Sequence, residues 1–347
     1  SVSAFLLNRS SDLAISAMSG ANASAAGLSS SMSEVGNALA MYFSTWKLVS
    51  AAINEFKEGF NTFKELDSAL TNISYTMNVS KDQLKQFGES AVNMAKDLSM
   101  SVKDTEDIYK IYANMNTSMS EIEQTAKPTA ILANLSGEDA STAADQIQGI
   151  IQQFGLLDEA GANAADVSMH VVDAMNDISA NVAMDYGRGI SVIADAVQAA
   201  GAVASDAGMS FEQLAAISAK SAERTRESGS TVGNAIKTIT TRLTKVGKMP
   251  AYADEVSNEE LSKASESLAQ IGIQVYNADG SFREMDTVLG ELAGKWDGLT
   301  DAQQANIAFN IAATRQTSQF RNILMAWTES MDLAAKATNA QGSAEIA

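Results

Sequence analysis

Residues 208–225, GMSFEQLAAISAKSAERT, place a helix stop and a helix start within six residues. Gly208 suits the left-handed backbone that ends a helix. Ser210-Phe-Glu-Gln213 is a capping box, in which the hydroxyl takes an orphan amide and the fourth side chain reaches back. A helix-period apolar pattern follows. The same start signal recurs at Ser80-Lys-Asp-Gln83, Ser120-Glu-Ile-Glu123, Ser257-Asn-Glu-Glu260 and Thr300-Asp-Ala-Gln303. Gly137, Gly155, Gly247 and Gly272 fall where the intervening helices should stop. Pro128 is expected to end or kink the helix begun at Ser120. The spacing therefore predicts a series of medium helices, not one rod, from about residue 78 to 333.

Composition agrees. The chain has 347 residues, two prolines, abundant Ala, Ser and Met, and few aromatics. Proline scarcity favours helix, and Met fills irregular gaps between helices. There is no cysteine, which excludes disulfides, thiol chemistry and Cys-type zinc sites. No run of about 20 apolar residues marks a membrane span; the most apolar stretch, 190–209, contains Asp195 and Asp206. The net charge of −18 argues against specific nucleic-acid binding. One region runs the other way: Lys220, Arg224, Arg226, Lys237, Arg242, Lys245 and Lys248 face only Glu223 and Glu227 between 217 and 249. It reads either as a solvated helix face with cations near a C-terminus or as a docking patch for an acidic neighbour, centred on Lys237, Arg242, Lys245 and Lys248.

One segment reads as strand. Ile273-Gln-Val-Tyr276 and Ser281-Phe-Arg-Glu284 flank Asn277-Ala-Asp-Gly280, an Asp-Gly hairpin signal. Such a hairpin is marginal alone and must lean on helices. Catalytic patterns are missing. The one histidine, His170, has Asp166 and Asp173 on its own helix face but no positioned nucleophile. Gly187-Arg-Gly189 lacks the preceding strand of a nucleotide fingerprint. Residues 277–281 imitate a calcium loop, but its first position would be Val275, which has no ligating side chain. No enzyme, cofactor or metal is expected.

The stretch 271–327, IGIQVYNADGSFREMDTVLGELAGKWDGLTDAQQANIAFNIAATRQTSQFRNILMAW, carries an ordered set of short motifs. They are Val275 and Tyr276 with Asp279, Gly280 and Phe282; Lys295 and Trp296; Leu299, Thr300, Ala302, Gln303 and Gln304; and Thr314, Arg315 and Gln316. In this order they resemble the core region of phage tail tape measure proteins. The helix opening at Phe63-Lys-Glu-Leu and the block 207–243 are similar to that family too, so the resemblance covers roughly residues 60–330. Two residues depart from it. Asn277 stands where Asp is usual, and Ala313 replaces the glycine before Thr-Arg-Gln, which disfavours left-handed backbone there. The resemblance implies a structural protein of the virion tail lumen and tip, made in the host cytoplasm. It would set tail length and be displaced during genome ejection. Its implied partners are copies of itself, tail tube proteins, tail tip or baseplate hub proteins, assembly chaperones and, after ejection, the host membrane. A phage-tail-like bacteriocin is an equivalent setting, and a membrane channel for DNA is the alternative function.

Upstream lies a heptad run. Leu28, Met32, Val35, Leu39, Tyr42, Trp46, Val49, Ile53, Phe56, Phe60 and Phe63 alternate in steps of four and three, a 3.5-residue period. A helix over 11–77 would be about 100 Å long at about 1.5 Å per residue. The stripe reads as a coiled-coil seam; packing on the rest of the chain and an amphipathic membrane helix are the other readings, and the mixed Lys and Glu face disfavours the last. Bulky aromatics favour a trimer over a dimer, and the resemblance to a multi-copy family points the same way. The expected fold is all-α: a coiled-coil helix over 1–77, capped helices over 78–250, a helix-hairpin-helix segment over 251–333 with a β-hairpin near 273–284, and an Ala-rich tail over 334–347 continuing into a longer chain. Replacing Phe56 and Phe60 by Asp would put charge into the seam, where desolvation is costly. Sedimentation should show the unsubstituted chain as an oligomer and the double variant as a smaller species. Equal sizes would mean that the stripe packs elsewhere.

Overall fold

A computed structural model of the chain describes residues 81–98, 101–114, 119–158, 162–244, 258–279 and 281–346. The heptad stripe from Leu28 to Phe63, with Lys245, Lys248 and Gly280, lies outside the described residues. The described residues are mostly helix. In chain order the helices are α1 Lys81–Asp97, α2 Val102–Asn114, α3 Met119–Ser136, α4 Ala140–Phe154, α5 Ala164–Ala180, α6 Tyr186–Asp206, α7 Phe211–Thr225, α8 Gly229–Thr244, α9 Asn258–Ala269, α10 Met285–Trp296, α11 Asp301–Met325, α12 Trp327–Ala337 and α13 Ser343–Ile346. The all-α expectation stands. Two compact units divide at Ala130 and Ile131, within α3.

In the first unit α1 packs on α2. Ala91 and Ala95 of α1 and Ile108, Tyr109 and Tyr112 of α2 are buried. The Tyr112 hydroxyl meets the Thr129 hydroxyl at 2.5 Å, and Thr129 donates to the Thr125 carbonyl. Two expectations are corrected here. Ser120 does not open its helix, because α3 already includes Met119. Pro128 does not end it either; α3 runs eight residues beyond. Proline removes one ladder donor and strains the preceding turn. Here Pro128 is buried, as are Ile122, Ala126 and Ala130 of this unit and, further along α3, Ile131 and Leu132 of the second. Burying side chains of the Ile and Leu size is worth about 1.5–3 kcal/mol each, so packing outweighs about 3 kcal/mol of local penalty.

The second unit is organised around α6, which packs against α4, α5, α7 and α8. Ile190, Ile193, Val197, Ala200, Val203 and Ala204 are buried, whereas Asp195, Gln198, Ala202 and Asp206 line an exposed side. No described helix is long and apolar enough to cross a membrane. The closest approach is to α8. A Cβ at Gly233 would lie 2.8 Å from the Cα and carbonyl oxygen of Ala196, and one at Gly229 would lie 2.3 Å from the Val192 carbonyl oxygen. Glycines four apart, Gly229 and Gly233, thus let α8 lie directly on the α6 backbone.

Ser80, Ser257 and Gly247 lie outside the described residues. Ser210 with Gln213 and Thr300 with Gln303 form complete capping boxes. Gly137, Gly155, Gly208 and Gly272 all have positive φ. Asp139, Asn163 and Asp185 are further side-chain caps that the Ser/Thr pattern did not flag. The hairpin expectation is corrected in part: the chain folds back, but through one antiparallel bridge between Tyr276 and Phe282, with no strands among the described residues. Asn277 donates to the Ser281 carbonyl at 2.9 Å and Arg283 to the Val275 carbonyl at 3.0 Å. Two strands are too few to persist alone. The turn is instead held by burial of Ile273 and Val275 and by the Met285 amide on the Ala207 carbonyl, 3.1 Å.

Gly233→Ala should lower unfolding stability by about 1–3 kcal/mol, since the new methyl meets backbone that cannot move aside. Gly149 of α4 is the control: a Cβ there meets nothing within 4 Å. Gly149→Ala should raise stability by roughly 1 kcal/mol through helix propensity alone. Urea unfolding of both variants checks the pair; equal shifts would refute the close α6–α8 packing.

Candidate functional site

The motif residues of 271–327 converge on α10 and its neighbours. Lys295 Nζ caps α9 by donating to the Ile271 carbonyl at 2.8 Å. Arg283, just after the turn, grips Glu291 of α10 with both guanidinium nitrogens, 2.6 and 3.3 Å, and donates to the Gln274 carbonyl at 2.8 Å. That hydrogen-bonded ion pair holds the Glu291 carboxyl below its ordinary pKa. Asp279 shapes the turn by accepting from the Ser281 amide at 2.9 Å and hydroxyl at 2.6 Å. Tyr276 and Phe282 meet edge to face at 6.1 Å.

Trp296 is 5% exposed. Its ring stands edge-on to Phe320 at 5.9 Å, and its carbonyl accepts from Gln304 Nε2 at 2.8 Å. It thus packs against α11. Gln303 closes the Thr300 capping box, accepting from the Thr300 amide at 3.0 Å and donating its own amide to the hydroxyl at 3.3 Å. Each of these motif residues ties one segment to the next.

Thr314, Arg315 and Gln316 lie just past a break in α11. Ala313 has φ 54 and ψ 174. The sequence argued against left-handed backbone at an alanine, and the structure corrects this: Ala313 has a positive φ although it is not glycine. Thr314 and Arg315 are exposed, and Gln316 is half-buried.

Several described residues of the basic run are engaged inside the fold. Lys220 donates to the Asn181 carbonyl at 3.4 Å and pairs with Glu223 at 3.0 Å; Glu223 accepts the Ala183 amide at 2.8 Å. Arg226 donates to the Ala183 carbonyl at 2.8 Å. These three clamp the α5–α6 loop. Arg242 Nη1 donates to the Asn310 carbonyl of α11 at 3.2 Å, and Lys237 is half-buried.

A polar stripe runs along α5. His170 Nε2 lies 2.6 Å from Glu212 Oε1 on α7, a carboxylate 42 residues away and 8% exposed. Asp166 and Asp173, the neighbours suggested by spacing, are not its hydrogen-bond partner. Asp173 is buried and accepts the Gly342 amide at 2.7 Å and the Ala344 amide at 2.9 Å, which anchors α13. Asn176 continues the stripe to Ser343 at 3.0 Å and to the Tyr186 hydroxyl. Glu212 carries no sequence signal linking it to His170. The Gly229 and Gly233 spacing was a readable signal of close packing. Among the described residues no three His, Asp or Glu side chains cluster as a metal site.

The hydrogen bond to Glu212 raises the His170 pKa above 6.5 against the opposing effect of burial, and the nearby Asp173 charge adds to it. Burial pushes Glu212 up, but bonds from His170, its own amide and Ser210 outweigh this and leave it below 4.5. A raised histidine stabilises fully below pH 6.5, and the effect fades as pH climbs through the folded value; a lowered carboxyl stabilises above pH 4.5, and the effect is lost as pH falls through its folded value. The pair therefore supports the fold most between pH 4.5 and 6.5. His170→Gln should destabilise at about pH 6, with the gap to the parent narrowing by about pH 8. Unfolding curves across that range check it; a pH-independent gap would remove the charge account.

The phage-related minor tail protein family matches residues 81–312, well over half of the chain. The match starts with α1 and ends one residue before Ala313. No solved structure matches the chain.

Proposed function

The chain belongs to the phage-related minor tail protein family, and on that footing we propose that this structural tail component is a tape measure segment. It lies in the tail lumen and at the tip, contributes to assembly and length control, and is displaced when the genome is delivered. The observation that carries this reading is the ordered motif set from Tyr276 to Gln316, to which Lys295, Trp296 and Gln303 contribute as segment ties. The reading is non-catalytic: the motif residues act by packing and capping. Its partners are further copies, with a trimer favoured, and tail tube, tip or baseplate hub and chaperone proteins. The charge of −18 keeps the chain from holding DNA as cargo by phosphate contacts.

The alternative is a membrane-active segment that passes DNA into the host. The aromatic stripe over 42–63 favours it. The packing of the apolar side of α6 on four helices speaks against α6 as the membrane element. The same segment would serve in a phage-tail-like bacteriocin.

An in-frame duplication of the heptad segment in the parent protein tests length control. Tails should lengthen by about 1.5 Å per added helical residue, as measured by electron microscopy. Unchanged tails would remove the ruler, and a particle map with this chain outside the lumen and tip would remove the location. Liposome flotation tests the alternative, which predicts recovery of the chain in the lipid fraction.

A further inference from the structure

Helix α11 has 25 residues and neither glycine nor proline, yet one residue inside it is non-helical: Ala313, φ 54 and ψ 174. Sharp breaks in helices normally trace to proline, glycine, an extra residue or an inserted group. None of the first two is present, and Ala is the best helix former. Local sequence and observed backbone therefore disagree. A non-glycine residue in this region persists only where the surroundings over-determine it.

Those surroundings grip α11 on both sides of the break. On the N-terminal side Asn310 Nδ2 donates to Ser267 of α9 at 2.6 Å, and the Asn310 carbonyl accepts from Arg242 of α8 at 3.2 Å. In an uninterrupted helix that same oxygen would take the Thr314 amide. With ψ at 174 the Thr314 amide is turned out of the ladder, and Arg242 supplies a donor to the carbonyl. On the C-terminal side Gln319 is 3% exposed, accepts from Ser221 of α7 at 3.1 Å and donates to Glu227. Trp296 touches both halves, with its ring on Phe320 and its carbonyl on Gln304.

We propose that α11 is a two-state element, kinked at Ala313 by the Arg242 and Trp296 contacts and able to straighten into one continuous helix when that grip loosens. Straightening would restore the Thr314 amide to the Asn310 carbonyl and move Ala313 back to the backbone its side chain prefers. It would also carry the exposed Thr314 and Arg315 away from their present position. The inference rests on the α11 geometry and is independent of the tape measure reading.

Because the chain has no cysteine, Ala305→Cys and Arg321→Cys, both at exposed positions, can carry a spin-label pair on the full chain, diluted with unlabelled chain. In a straight helix these 16 steps span about 24 Å at about 1.5 Å each. The parent should show one distance, different from that. Arg242→Met should add a second population near the straight-helix value, and Ala313→Gly on top of it should cut that population roughly tenfold, since glycine relieves the kinked state. A kinked distance alone in Arg242→Met, a broad distribution without the straight peak, or a straight population insensitive to Ala313→Gly would each overturn the proposal. If Arg242→Met does not fold, the labelled parent in urea below its unfolding midpoint is the second reading. There a straight peak that grows before unfolding supports the proposal, and direct passage to a broad distribution overturns it.

Discussion

Backbone contact between α6 and α8 sets the geometry of the second unit. Gly229 and Gly233 leave no side chain on one stripe of α8, so it lies against Val192 and Ala196 at a distance no larger residue permits. Each glycine weakens its helix by about 0.5–1 kcal/mol relative to alanine. The return is a tightly packed pair around which the other helices are arranged: α4, α5 and α7 also pack on α6, and α11 packs on α8. Gly189 of α6 repeats the device toward α5, where a Cβ would meet the Ser179 side chain at 2.3 Å.

Outside that pair, much of the specificity comes from polar contacts between segments distant in sequence. The α5–α6 loop is clamped by Lys220, Glu223 and Arg226. α5 reaches α7 through His170 and α13 through Asp173. α10 reaches back to the turn through Glu291 and to α9 through Lys295. Apolar burial is non-directional, and small Ala-rich helices slide easily on one another. Directional bonds at helix ends fix the register that burial alone leaves loose.

Ala313 shows the same logic under conflict. A positive φ is inexpensive for glycine and costly for alanine. The contacts on either side of the break, from Arg242, Ser267, Ser221 and Trp296, are strong enough together to hold a conformation that alanine resists.

The sequence by itself determined where many of the described helices begin and end. Ser210, Thr300, Gly155 and Gly208 act within a few residues of themselves, so their effect is legible without the fold. It determined the all-α class for the same reason. It misjudged Pro128, because the packing that offsets a proline comes from residues outside the local turn. It overstated the hairpin, because a turn signal specifies the reversal but not the length of pairing beyond Tyr276 and Phe282. Only the tertiary structure decided that His170 pairs with Glu212, that Arg242 serves α11, and that Ala313 takes a glycine's backbone. Those outcomes depend on groups brought together from tens of residues apart, and no local preference encodes which distant group will arrive.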